Sequence, residues 1–284
     1  MSYTVNCSIL LTDLPMLERP AAARAAGFTQ VEFWWPFAES VPSDADVTAF
    51  ERAITDAGVQ LTGLNFDAGN MPAGDRGLLS SPATSARFRD NIDVVAGIGE
   101  RLGCRAFNAL YGNRDDAFTP EEQDDVAAQN LALAAAGVGR IGGTVLLEPV
   151  SGAPRYPLLT AADALGVIDR VRAECGATNI ELLADFYHLA VNGDDVATVI
   201  EAHAAGFGHI QIADAPGRGE PGTGDLPLAA WLDRSAALGY AGTVGLEYKT
   251  SAADPFAWLP AEQRAGTPTS APTSTPTSPA TTRA

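Results

Sequence analysis

The chain has 284 residues, with 35 acidic side chains against 18 Lys and Arg and a formal net charge of −17. That length suits one large domain, and the acidic balance opposes nonspecific binding to a phosphate backbone, so nucleic acid is not an expected partner. Cys7, Cys104 and Cys175 fit no metal-binding spacing and read as reduced thiols; no apolar run approaches bilayer length and no basic region precedes the first one, so the expectation is a cytoplasmic protein without a membrane partner.

In chain order, residues 4–11 read as a strand, 17–26 as a helix closed by Gly27, and 29–34 as a second strand. Ser43 with Asp44 or Asp46 offers a cap for a helix ending near Gly58, and residues 59–65 form a third strand. Residues 66–79 break the rhythm with a Gly-, Asp- and Pro-containing excursion too long for a minimal connection, where Asn70 or Arg76 could reach a ligand. A helix over 88–102, a strand over 105–110 and a helix over 120–137 follow. The next strand, 143–148, ends in VLLE before Pro149, which places Glu148 at the end of an apolar run.

A helix over 160–175 leads to a strand over 179–185 that ends in Asp185, with His188 just beyond it in a loop or first helical turn. After a helix over 194–205, residues 207–213 form a strand carrying Gln211, followed by the glycine-rich PGRGEPGTGD loop, whose single arginine, Arg218, suits an anionic or polyhydroxylated ligand. A helix over 227–238, a strand over 242–247 ending in Glu247 and a last helix over 253–263 complete eight strand and helix pairs. That count predicts an α/β fold, a single (β/α)8 TIM barrel over residues 1–264. The main alternative, a doubly wound open sheet, lacks a glycine fingerprint after its first strand. Residues 265–284 are almost all Thr, Ser, Pro and Ala, and are expected to be a disordered tail.

Glu148, Asp185, Gln211 and Glu247 stand at or near the ends of four successive strands at separations of 37, 26 and 36 residues, a spacing that can bring sequence-distant oxygen donors to one barrel mouth. Three carboxylates and an amide suit a hard divalent metal, Mg(II) or Mn(II), and would support proton transfer beside a polarised carbonyl. His188 is placed to contact substrate.

On GHIQIADAPGRGEPGTGD, supported by LERPAAARAAGFTQVEFWWP, GDRGL, the EP at Glu148, DFYH at Asp185 and GLEY at Glu247, the chain resembles the hydroxypyruvate isomerase family of xylose-isomerase-like TIM barrels over about residues 2–262. The resemblance implies isomerisation of hydroxypyruvate to tartronate semialdehyde. Glu148 and Glu247 would be the catalytic acid/base pair, Glu148, Asp185, Gln211 and Glu247 the metal shell, and His188 and Arg218 the substrate-orienting residues. The implied partner is a small hydroxy-oxo-acid or sugar, and a homo-oligomer is left open. A departure follows Glu148, where VSGAPRYPLLT replaces the family's Asn-, Arg- and Gly-containing stretch. An isomerase of a four-carbon oxo-acid sugar such as a dehydrotetronate therefore stands as the alternative, with a noncatalytic sugar-binding barrel behind it. Endonuclease chemistry on abasic DNA is disfavoured by the acidic charge and three histidines.

Overall fold

The computed structural model describes residues 1–265; the expected tail falls almost wholly outside the described residues. The elements are β1 (Ser2–Asn6), α1 (Arg19–Ala25), β2 (Gln30–Phe33), α2 (Asp44–Ala57), β3 (Gln60–Asn65), α3 (Ser85–Leu102), β4 (Ala106–Asn108), α4 (Pro120–Gly139), β5 (Thr144–Leu147), α5 (Ala161–Cys175), β6 (Ile180–Asp185), α6 (Phe186–Val191), α7 (Val196–His203), β7 (Phe207–Ile212), α8 (Leu228–Ala237), β8 (Thr243–Leu246) and α9 (Ala261–Arg264). The eight strands run parallel in sequence order and close when β8 pairs with β1. This is the expected (β/α)8 barrel, and among the described residues no helix is long and apolar enough to cross a membrane.

Local chemistry sets the helix starts. Ser43 accepts the Asp46 amide at the head of α2, and Thr119 and Thr160 form reciprocal capping boxes with Glu122 and Asp163 ahead of α4 and α5. Gly58, Gly103 and Gly176, all in left-handed conformation, end α2, α3 and α5. Outward strand residues clamp the helices: Phe33 meets Phe50 of α2 edge-on at 5.1 Å between ring centroids, and Phe66, just past β3, meets Phe88 of α3 at 5.4 Å.

Two expectations need correction, and one is decided between its alternatives. The first strand stops at Asn6 rather than running to Leu11, because the Asn6 carbonyl accepts the amides of Ile9 and Leu10 in a turn and Leu11 takes a φ of 60°. His188, expected in a loop or a first helical turn, takes the second: DFYH opens a short helix, α6, because the Asp185 carboxylate accepts the amides of Tyr187 and His188. The last helix shrinks to α9: Asp254 accepts the Phe256 amide in a turn, and Pro255 and Pro260 interrupt the segment.

The long excursion after β3 is seated by its backbone. Gly77 donates to the Ala68 carbonyl, Ser80 to that of Tyr111, and a Cβ at Gly77 (φ +116°) would fall 2.0 Å from the Leu110 carbonyl oxygen. Only glycine fits this combination of conformation and contact. Gly77→Ala should therefore destabilise the fold by about 2–3 kcal/mol and lower Tm by roughly 5–10 °C. Gly166→Ala, in α5 with nothing within 4 Å of the new methyl, is the control and should be neutral or slightly stabilising; equal Tm shifts in the two variants would contradict this account.

Candidate functional site

The carboxyl ends of the strands surround a cavity of about 710 Å³ lined by Glu148, His188, Arg218 and Glu247, together with Trp34, Arg76 and Lys249. Parallel register pairs Asp185 with Gln211 and Gln211 with Gly245, which sets Asp185 and Gln211 side by side on one face. Glu148, Asp185, Gln211 and Glu247 are each at most 5% exposed. Burying so many acidic groups demands partners for their oxygens.

Those partners are unevenly supplied. Asn108 donates to Glu148 Oε2 at 2.7 Å, and the Trp34 indole donates to Glu247 Oε1 at 2.6 Å. Each glutamate is thereby clamped by one oxygen. Asp185 Oδ2, Gln211 Oε1 and Glu247 Oε2 accept no hydrogen bond among the described residues, although the Arg218 guanidinium lies 3.0 Å from Glu247 Oε2 and 3.7 Å from Asp185 Oδ2. The first of these distances is an ion pair whose angle does not make a hydrogen bond. Three buried oxygens without a hydrogen-bond donor, from β6, β7 and the residue after β8, suit a hard cation.

Oxygens of Glu148 and Asp185 and Nε2 of His188 lie within 4.8 Å of one another, a cluster able to hold a metal ion. The histidine can be read more closely. Its Nδ1 accepts the Ser151 backbone amide at 3.0 Å, so in the neutral ring the proton sits on Nε2. Burial, reinforced by Arg218 and Arg76 against the pull of Asp185, lowers the His188 pKa to about 4 and keeps the ring neutral. In that tautomer Nε2 donates, which suits a substrate oxygen better than a metal.

Arg218 is held over the mouth by its loop. Buried Asp214 accepts the amides of Ala215, Gly222 and Leu226, while its backbone exchanges both hydrogen bonds with Gly219. Arg218 takes a φ of 59°, donates Nε to the Glu247 carbonyl and stacks on the Tyr187 ring at 5.5 Å. Burial alone disfavours its charge, but Glu247, Asp185 and Glu148 outweigh that and raise its pKa. The same crowding raises the carboxyls. Burial, then Glu247 and Asp185, push Glu148 well above the usual carboxylate range; burial pushes Glu247 up to about 8, with Asp185 and Glu32 adding to it and Arg218 and the Trp34 bond opposing.

Of the residues expected to hold metal or substrate, Glu148, His188, Arg218 and Glu247 line the cavity, Asp185 lies within 3.7 Å of His188 and Arg218, and Gln211 stands beside Asp185 in the register while lining a separate small void with Glu32 and His209. Arg155, in the VSGAPRYPLLT stretch after Glu148, lies outside this set: it pairs with Asp116 at 3.0 Å and donates to the Arg114 carbonyl. Sequence reading missed Trp34, Asn108, Ser151 and Glu32. Glu32 alone left a signal, a charge between Val31 and Phe33 inside a short strand.

The family profile described as "Xylose isomerase-like TIM barrel" matches residues 20–267. A Streptomyces coelicolor protein named "Putative hydroxypyruvate isomerase" is 55% identical over 270 residues, covering 93% of this chain and 97% of its own. A Cupriavidus necator protein named "2-oxo-tetronate isomerase" is 32% identical over 258 residues, covering 88% and 93%. A crystal structure described as AP endonuclease, family 2, from Brucella melitensis superposes with a TM-score of 0.81 at 29% identity, covering 90% of this chain and 97% of that one.

Carboxyls raised in the folded, metal-free chain hold protons that the unfolded chain has already released. Their contribution to stability is therefore present below the ordinary carboxylate pKa and lost as pH rises toward about 8, where Glu247 ionises. A cation held by these carboxylates would reverse that loss. The rise in Tm produced by saturating manganese(II) should be larger at pH 8 than at pH 5, measured by thermal unfolding of chelator-treated protein; an equal rise at both pH values would contradict the assignment.

Proposed function

We propose that this chain, which belongs to the xylose isomerase-like TIM barrel family, interconverts hydroxypyruvate and tartronate semialdehyde. The observation that carries the reading is the pair Glu148 and Glu247. They are buried carboxylates from the residues just after β5 and β8 that line one cavity, feel each other's charge, and are each clamped through a single oxygen. Such a pair, with raised pKa values, suits a reaction that takes a proton from one carbon and returns one to its neighbour near neutral pH.

One glutamate removes a proton from C3 of hydroxypyruvate, and the C–H electron pair becomes the C2–C3 double bond of an enediolate. The other glutamate delivers a proton to C2, and the hydroxyl proton of O3 passes to O2. The product carries an aldehyde at C3 and a hydroxyl at C2, with no atom gained or lost.

Glu148, Asp185, Gln211 and Glu247 would hold the cation, and magnesium or manganese matches their oxygen donors. When bound, the cation supplies Lewis-acid polarisation of the substrate oxygens. His188 presents Nε2–H to one of those oxygens. Arg218 faces the carboxylate cluster, and Arg76 and Lys249, which line the same cavity, add positive charge for the substrate carboxylate. The 55% identity to the Streptomyces protein favours the three-carbon acid. A cavity of about 710 Å³ also admits a four-carbon oxo-acid, the substrate class of the second reading.

Glu148→Gln and Glu247→Gln should each lower kcat by about 10²–10⁴-fold while circular dichroism and Tm show an intact fold. Unchanged turnover in both would rule out the pair. Manganese-loaded protein offered hydroxypyruvate and a 2-oxo-tetronate separately, with products identified by NMR in deuterium oxide, should yield tartronate semialdehyde carrying deuterium at C2. Turnover of the four-carbon acid alone would move the assignment to the second reading.

A further inference from the structure

We infer that Glu32, on β2, is a positioning residue whose carboxylate fixes the Gln211 amide so that its oxygen, not its nitrogen, is available to the cation. The inference rests on the reading of Gln211 as a metal donor. An amide can turn either end toward a metal, and only its oxygen binds a hard one. Where a terminal amide stands among carboxylates, something must choose its orientation.

Glu32 is placed to choose. Its Oε1 accepts Gln211 Nε2 at 2.7 Å and Asn6 Nδ2 at 3.1 Å, while its Oε2 meets His209 Nε2 at 2.7 Å. Facing an acceptor, the Gln211 amide must present its NH2 group, and this leaves Oε1 as the end without a hydrogen bond. His209 and Asn6 hold the carboxylate from the other sides, so it cannot rotate away without breaking their contacts.

The barrel wall is shaped around this contact. A Cβ at Gly245 would lie 2.6 Å from Glu32 Oε1 and 2.7 Å from Gln211 Cγ, and one at Gly63 would lie 3.2 Å from Glu32 Cβ. Neither glycine has a positive φ, so the requirement is space. The void among these groups is about 10 Å³, at the lower bound for one water, which leaves protein atoms to orient the amide. Glu32 itself is 3% exposed and, like Gln211, lines this void and not the large cavity, so it acts on the site by its charge and by the amide it holds.

The test is a double-mutant cycle on manganese(II) affinity, read by titration calorimetry and by the EPR signal of free manganese, with no substrate present. Glu32→Met, close in length and without an acceptor, should weaken manganese binding at least tenfold, and so should Gln211→Ala. If Glu32 acts through Gln211, the double variant should be no weaker than Gln211→Ala alone. Additive losses, or unchanged affinity in a folded Glu32→Met, would overturn the inference. If Glu32→Met does not fold, the same cycle with Glu32→Asp, which withdraws the acceptor while keeping its charge, decides on the same criteria with a loss of at least threefold expected. Parental affinity in Gln211→Ala would instead remove the metal reading on which the inference rests, so the two failures are distinguishable.

Discussion

The structure depends on an electrostatic imbalance: Glu32, Glu148, Asp185 and Glu247 are buried together at one end of a barrel whose nearest guanidinium is that of Arg218. Desolvation and mutual repulsion both work against ionising such a set, which is why the Glu148 and Glu247 carboxyls rise. A divalent cation would resolve the imbalance, and three buried oxygens, one each from β6, β7 and the residue after β8, accept no hydrogen bond among the described residues. The property that destabilises the metal-free site is the one that gives the glutamates pKa values suited to proton transfer.

The barrel converts this chemistry into geometry by assigning one task to each strand end. The ends of β5 to β8 supply the candidate donors, β2 leads into Trp34, and β4 brings Asn108, so Glu148 is clamped from the neighbouring strand and Glu247 from a strand two places round the barrel. The loops add what strands cannot: Asp214 gathers three amides to hold Arg218, and the Ser151 amide fixes the tautomer of His188. Precision at the rim comes from backbone groups, which are less mobile than side chains.

Much of this was legible in the sequence, for a physical reason. A parallel strand buried on both faces reads as an apolar run, so a polar residue at or near its end stands out, as Glu148, Asp185, Gln211 and Glu247 do. The rhythm of eight such runs gave the barrel. Trp34 and Asn108 were not legible because their role lies in contacts 213 and 40 residues away in the chain. The orientation of the Gln211 amide, set by Glu32 across 179 residues, left only the trace of a charge in an apolar strand. The last helix was overread because helical composition outweighed the turn chemistry of Asp254 and the two prolines in that reading.

The central claim is that four strand-end oxygens converge on one cation while His188 stays outside its shell. Anomalous diffraction at the manganese edge, from crystals soaked in manganese(II), tests it most directly. The account predicts a single peak at bonding distance from oxygens of Glu148, Asp185, Gln211 and Glu247, with His188 Nε2 still a donor and its Nδ1 still bonded to Ser151. A peak bonded to His188 Nε2, or one that leaves out Gln211 and Glu247, would contradict it.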